Sequence, residues 1–371
     1  MHVGPFELSA PERALIARAD GLLSIASRQI QLLGCASPVN FGAELGRITT
    51  CWRTGDEVEP AFAYGLGPQF DLGLPLALDD AARELDGGGV VARLYAGRAR
   101  ELALEAQLCV LRGDVAVPAL AARRYAVDVS IAELADTVAR EWLTSELADP
   151  ETVADVISDD LSDPRSLVRR MREVVGERRL PLKVVIARSL APLAAIGDGT
   201  VQIAPSRLMR VEDVERTVLH EIDGHAVPAI RAERASIGLF AIGTARGSDT
   251  QEGWAIRLEQ RAGYLGPLRK RELGLRHLAA RDVHRGRSFG DVVRRLTSEL
   301  GAPLEPTLRV VARAFRGGGL GRESAYLPAF IEVEAALSSE PEIEQWLASG
   351  RVSVAAARSL AQHPALLPAA S

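Results

Sequence analysis

Apolar residues recur at helical spacing through the first third of the chain. In "APERALIARADGLLSIASRQIQLL" (residues 10–33) they fall every three or four positions, which predicts an amphipathic helix stopped by Gly34. "ASPVNF" and "EVEPAFAYG" place prolines between periodic runs and read as loops. Residues 75–112 predict helices interrupted at "LDGGGV" (85–90). "SIAELADTVAREWL" (130–143) predicts a further helix, with Ser130 as its cap and Glu133 three residues on completing a capping box. The polar stretch 148–166 then divides the pattern. It suggests a mostly helical N-terminal lobe at 1–165 and a second lobe at 166–371 that ends in helices, unless the two form one continuous domain.

The period changes after that stretch. "LPLKVVIA" (180–187) is a β-branched apolar run, and "GDGTVQIAP" (197–205) is a turn followed by a short strand. Helical spacing resumes in "VEDVERTVLHEIDGH" (211–225), with Val211, Val214, Val218 and Ile222 on one face. "SDTQEGWAIRLEQRAG" (248–263) predicts a helix capped by Ser248 or Asp249 and closed by Gly263. Later helices are expected over about 288–300, 306–315 and 327–337, followed by two short ones. The fold class is α+β, predominantly helical, with a small β-sheet just before the His-bearing helix.

Composition narrows the function classes. At 47% hydrophobic and 25% charged, the 371 residues can bury a sizeable core. A net charge of −5 argues against a nucleic-acid surface. No uninterrupted apolar run is long enough for a membrane span, and the N-terminus lacks a signal-peptide pattern. Cys35, Cys51 and Cys109 are odd in number and form no CxxC pair, as expected of reduced thiols in a cytoplasmic protein. Only Lys183 and Lys270 are lysines among the 44 basic residues, a bias that reads as codon drift toward arginine.

The candidate chemistry lies in "TVLHEIDGHAVP" (217–228). It resembles the His-Glu-x-x-His helix of zinc peptidases with one residue too many. On a regular helix, positions i and i+4 lie about 40° apart and can grip one ion, whereas i and i+5 lie about 140° apart. A single widened turn absorbs the extra residue and brings His220 and His225 back together, and Gly224 offers backbone freedom at that place. Glu221 would then face the open side of the metal and take a proton from water. Zn2+ needs a third protein ligand, for which Asp249, Glu252, Glu259, His277 and His284 are candidates. Glu252 is favoured because Gly253 allows close approach of its helix. The same Glu252 also fits a capping box with Asp249, so ligand and cap remain open. Glu259, on the same face, is expected as an exposed helix carboxylate, with an acceptor for a ligand imidazole as the alternative.

"HEIDGH" followed by "TQEGWA" resembles the HExxxH…QEGLA pattern of the microtubule-associated tyrosine carboxypeptidases and their bacterial relatives. "ASPVNF" with "EPAFAYG", "FRGGGLGRESAYLPAF" (315–330) and "LASGRVSVAAARSLAQHPALLP" resemble further segments of that family in the same order. The resemblance implies a zincin-like metallopeptidase with His220, His225 and Glu252 as Zn2+ ligands and Glu221 as general base. It further implies that Tyr326 donates to the developing oxyanion, and that Arg316 and Arg322 bind the substrate's C-terminal carboxylate. Two departures stand out. The family's Lys-Asp is Arg322-Glu323 here, and QEGLA is QEGWA, where Trp254 is expected in the core. In zinc peptidases an edge strand often pairs with substrate, and "TVQIA" (200–204) is the expected one.

The sequence therefore predicts a zinc carboxypeptidase acting on a peptide or protein C-terminus, with no nucleic-acid or membrane partner. A zinc amidohydrolase acting on a non-peptide or natural-product precursor is the alternative enzyme. A non-catalytic regulatory or peptide-binding protein is the alternative of another class, and the presence of Glu221 counts against it.

Overall fold

The computed structural model describes residues 9–144, 155–187, 192–197 and 199–368. These residues are mostly helical with two small sheets, as the α+β pattern predicts. The first helix, Ala10–Gln29, is capped by Ser9, whose Oγ accepts from the Glu12 N–H, and it buries Ile16, Ala19, Leu23 and Ala26. It ends earlier than Gly34 predicts. Ile30 turns into the core with a non-helical backbone, and Gly34 instead lies within a separate short helix, Leu32–Ala36. The break at "LDGGGV" is present, between helices Leu74–Leu85 and Val90–Val110. The helix over 130–143 runs Val129–Thr144. Its cap is Asp128 and not Ser130: Asp128 Oδ1 accepts from the Ser130 N–H and Oγ at 2.8 and 2.6 Å. Of the polar stretch 148–166 that suggested the lobe boundary, residues 148–154 lie outside the described residues.

One core joins Leu23, Leu78, Tyr95 and Leu102 from the first third to Phe240, Val333, Trp346 and Leu360 near the end of the chain. Trp254 is buried in it, as expected. A second core packs Leu143 and Ile48 against Leu278, Phe289 and Leu327. The third is local in sequence, running from Val156 to Ala226, and it holds the sheet against the His-bearing helix.

Five strands are present among the described residues: β1 (Val156–Ile157), β2 (Lys183–Ile186), β3 (Ala194–Gly197), β4 (Thr200–Ile203) and β5 (Leu208–Met209). β1 pairs with β5, and the larger sheet has the order β2-β4-β3. β4 pairs in parallel with β2, Lys183 opposite Thr200, and antiparallel with β3, Ala194 opposite Ile203. This corrects the edge-strand expectation, because 200–203 is the central strand. Three strands were not foreseen: the two-residue β1 and β5, and β3, whose "AAIG" lacks the β-branched composition that marks a strand in sequence. β3 forms because β4 offers it a ladder, and it lies against the His-bearing segment.

Candidate metal centre

Helix Val211–Leu219 buries Val214 and Val218 against the sheet, while Val211 stays exposed. It continues without a break into His220–Ala226, which is π-helical, and then into Val227–Ala232. The flanking Leu219 and Val227 keep ordinary helical dihedrals, so the extra residue is absorbed within one widened turn. His220 Nε2 and His225 Nε2 consequently lie 3.2 Å apart, with the rings at 64° to one another. Gly224 serves this turn by packing, not by backbone freedom. A Cβ there would lie 2.5 Å from the Ala255 Cβ, so the glycine allows helix Gly247–Arg261 to press onto the turn.

That second helix carries Glu252. Its Oε2 is 3.4 Å from His220 Nε2 and 3.6 Å from His225 Nε2. The capping-box alternative is overturned: Arg246, in the left-handed region, precedes the helix, and Asp249 lies inside it. Asp249 is buried against Arg124 Nη1 at 2.8 Å, and Arg124 also donates Nε to Glu105 at 2.8 Å. Gly253 likewise differs from expectation, since a Cβ there would strike the Ala329 carbonyl carbon at 2.4 Å. It brings helix Gly247–Arg261 onto helix Tyr326–Ser339, and the close approach to the His-bearing turn belongs to Gly224.

Glu259 is fully buried, which overturns its reading as an exposed carboxylate. Its Oε1 lies 2.7 Å from His220 Nδ1, and Arg269 grips it through Nε and Nη2, both at 2.9 Å. Burial raises the Glu259 pKa, but Arg269 and His220 outweigh that effect and hold it at about 2. Glu259 thus orients His220 with Nε2 toward Glu252. The other two histidine candidates are engaged elsewhere: His277 Nε2 contacts Asp136 at 2.9 Å, and His284 Nε2 donates to the Leu320 carbonyl at 3.0 Å.

Among the described residues, one set of His, Cys, Asp and Glu side chains has the spacing to hold a metal ion: His220, His225 and Glu252, with donor atoms within 4.8 Å of one another. The separations of 3.2, 3.4 and 3.6 Å match the edge of a tetrahedron of ligands about 2.0–2.1 Å from a central ion, which is about 3.3 Å. Two imidazole nitrogens and a carboxylate converge on one point. Burial lowers the His220 pKa, yet Glu252 and Glu259 raise it to about 10. Burial raises that of Glu252, but His225 and Arg322 together hold it well below the carboxylate range.

Arg322 completes the cluster. It donates Nη2–H to Glu252 Oε1 at 2.9 Å and Nη1–H to the Tyr326 phenolic oxygen at 2.6 Å. Burial raises the Tyr326 pKa, although Arg322 pulls it down. Arg316 is buried and engaged away from this cluster, donating Nε to the Arg313 carbonyl at 3.0 Å and lying 3.4 Å from Glu323 through Nη2. Glu221 is partly exposed and has no hydrogen-bond or ion-pair partner among the described residues. Sequence reasoning missed Arg269 and Arg124, which hold Glu259 and Asp249. Among 42 arginines nothing in their spacing marks them, since their partners lie 10 and 125 residues away.

A family model described as microtubule-associated tyrosine carboxypeptidase matches residues 57–366. No curated protein matches the chain. Among solved structures, the crystal structure of a Colwellia psychrerythraea protein named as a lipoprotein aligns at 11% identity with a TM-score of 0.46. The alignment covers 79% of this chain and 66% of the other, so the chain spans just under two thirds of that protein's length. No helix among the described residues is long and apolar enough to cross a membrane.

Proposed function

The chain belongs to the microtubule-associated tyrosine carboxypeptidase family, and we propose that within it this protein is a zinc-dependent, zincin-like carboxypeptidase. It would remove a residue from the C-terminus of a peptide or protein. The observation that carries the reading is the tetrahedral spacing of His220, His225 and Glu252 beside an unpartnered Glu221. Two imidazoles and one carboxylate are a donor set suited to Zn2+ with a position left open. When bound, the ion polarises the scissile carbonyl and lowers the pKa of water toward neutrality.

The chain's own residues divide the remaining work. Glu221 takes the proton from the attacking water and returns it to the leaving amine. The Tyr326 oxygen accepts from Arg322, which leaves its own O–H proton free to donate to the oxyanion. Arg322 also fixes Glu252 with Oε2 turned toward the imidazoles. β3 pairs only with β4 among the described residues, so its other edge can receive an extended substrate backbone beside the His-bearing turn.

Metal analysis of the purified protein and of a Glu221→Gln variant tests the reading. One zinc per chain in both, with release of a C-terminal residue by the parent alone, is the expected result. Absence of metal, or cleavage within the peptide and not at its end, would sink it.

A further inference from the structure

Neither arginine of the 315–330 segment has its guanidinium free for a substrate carboxylate. Arg322 holds Tyr326 with one terminal nitrogen and Glu252 with the other, and Arg316 is buried against Glu323 and a main-chain carbonyl. Arg351 differs from both. It is exposed, and its guanidinium has no hydrogen-bond or ion-pair partner among the described residues.

Its backbone is nonetheless firmly seated. The Arg351 carbonyl accepts from the Thr244 N–H at 2.9 Å, and the Ser353 N–H donates to Thr244 Oγ1 at 2.8 Å. Gly247 begins the helix that carries Glu252, and a Cβ at Gly247 would lie only 1.9 Å from the Arg351 oxygen. Gly243, at φ 93°, lets the chain pass the Arg351 side chain, with 3.1 Å between a would-be Cβ and the Arg351 Cβ. The residue is therefore clamped to the N-terminal end of the Glu252 helix.

Glu252, Glu105, Arg322 and Arg98 are among the charged groups near enough to act on the guanidinium. Its pKa is lowered, first by burial among protein atoms and then by the like charges of Arg98 and Arg322, which the two glutamates do not offset. An exposed guanidinium with no counter-charge bound to it favours an anion.

We infer that Arg351 binds the C-terminal carboxylate of the substrate, its planar guanidinium meeting both oxygens beside the Glu252–Arg322 pair. This assignment rests on the carboxypeptidase reading and deepens it. It gives Arg322 a different task, holding Glu252 and Tyr326, and it makes Arg351 the residue that restricts cleavage to chain ends.

The test uses zinc-loaded protein carrying Glu221→Gln, which binds without turnover. The probes are a fluorescein-labelled pentapeptide ending in tyrosine with a free carboxylate and the same peptide as its C-terminal amide. The free-carboxylate peptide should bind tighter by on the order of ten- to a hundred-fold. Adding Arg351→Ala should erase most of that preference while leaving amide binding and thermal stability unchanged, and Arg351→Lys should restore part of it. A preference that survives Arg351→Ala would overturn this assignment and leave the carboxypeptidase reading standing. If the Glu221→Gln protein carrying native Arg351 treats the two peptides alike, the carboxypeptidase reading fails and the assignment falls with it.

Discussion

His220 Nδ1 lies 2.7 Å from Glu259 Oε1, and Glu259 is fully buried. This contact fixes which imidazole nitrogen is left for a metal. Arg269 in turn fixes Glu259 through two contacts of 2.9 Å. Partners of this kind typically tune metal affinity by about 10–100-fold. Glu259→Gln should therefore raise the zinc dissociation constant by about that factor, measured by competition with a chromophoric chelator. Unchanged affinity would show that the contact positions the ring without tuning the metal.

Gly224 makes a second prediction, because its place against Ala255 leaves no room for a side chain. In Gly224→Ala the added methyl must push helix Gly247–Arg261 away from the π-helical turn. Overpacking of this kind costs about 1–3 kcal/mol. Since Glu252 rides on the displaced helix, zinc affinity should fall together with the melting temperature. Calorimetry and chelator competition measure the two separately, and a stable variant with undiminished zinc binding would show that the close approach is not needed.

How far these relationships could be read from the sequence depended on distance along the chain. The five-residue spacing of His220 and His225 is local, and helix geometry alone turned it into a widened turn, which is where the π-helical segment lies. The helical periodicity of 211–225 likewise placed Val214, Val218 and Ile222 in the core. Glu259 could not be read in the same way. Its burial depends on Arg269, whose helix must fold back across it, and a lone Glu on a helix ordinarily faces water. β3 was missed for a related reason: "AAIG" has no strand character of its own and takes its conformation from β4. Asp249 and Glu252 fit a capping pattern by spacing, but tertiary partners Arg124 and Arg322 claim both carboxylates.

Glu323 carries a pH prediction. It is buried between Arg313 and Arg316, each 3.4 Å away. Burial pushes its pKa up, but the two arginines dominate and lower it from 4.5 to about 2. A carboxylate with a depressed folded-state pKa adds stability that is complete above the unfolded value and is lost as pH falls through the folded one. That contribution, about 3 kcal/mol, should disappear between about pH 4.5 and 2. Glu323→Gln should lower stability at neutral pH and flatten the acid limb of a urea-denaturation series. A variant with the parent's acid limb would show that other carboxylates set it.

Tyr326 is the proposed donor to the oxyanion, and Arg322 is the reason it can serve. The guanidinium donates into the phenolic oxygen at 2.6 Å, so that oxygen's own proton must point elsewhere. The Tyr326 pKa lies above its ordinary value of 10.0, burial being the larger effect, so the proton is retained throughout the neutral range. Removing one donor to a developing oxyanion typically costs about 10²–10³ in kcat. Tyr326→Phe should therefore lose about that much in kcat, with KM and zinc content close to those of the parent, because the ground state does not need the donor. Arg322→Lys should behave differently, since one ammonium cannot span Glu252 and Tyr326 as the guanidinium does. It should lower zinc affinity as well as kcat. Steady-state kinetics with zinc content measured on the same preparations separates the two variants, and an undiminished kcat in Tyr326→Phe would remove the phenol from the mechanism.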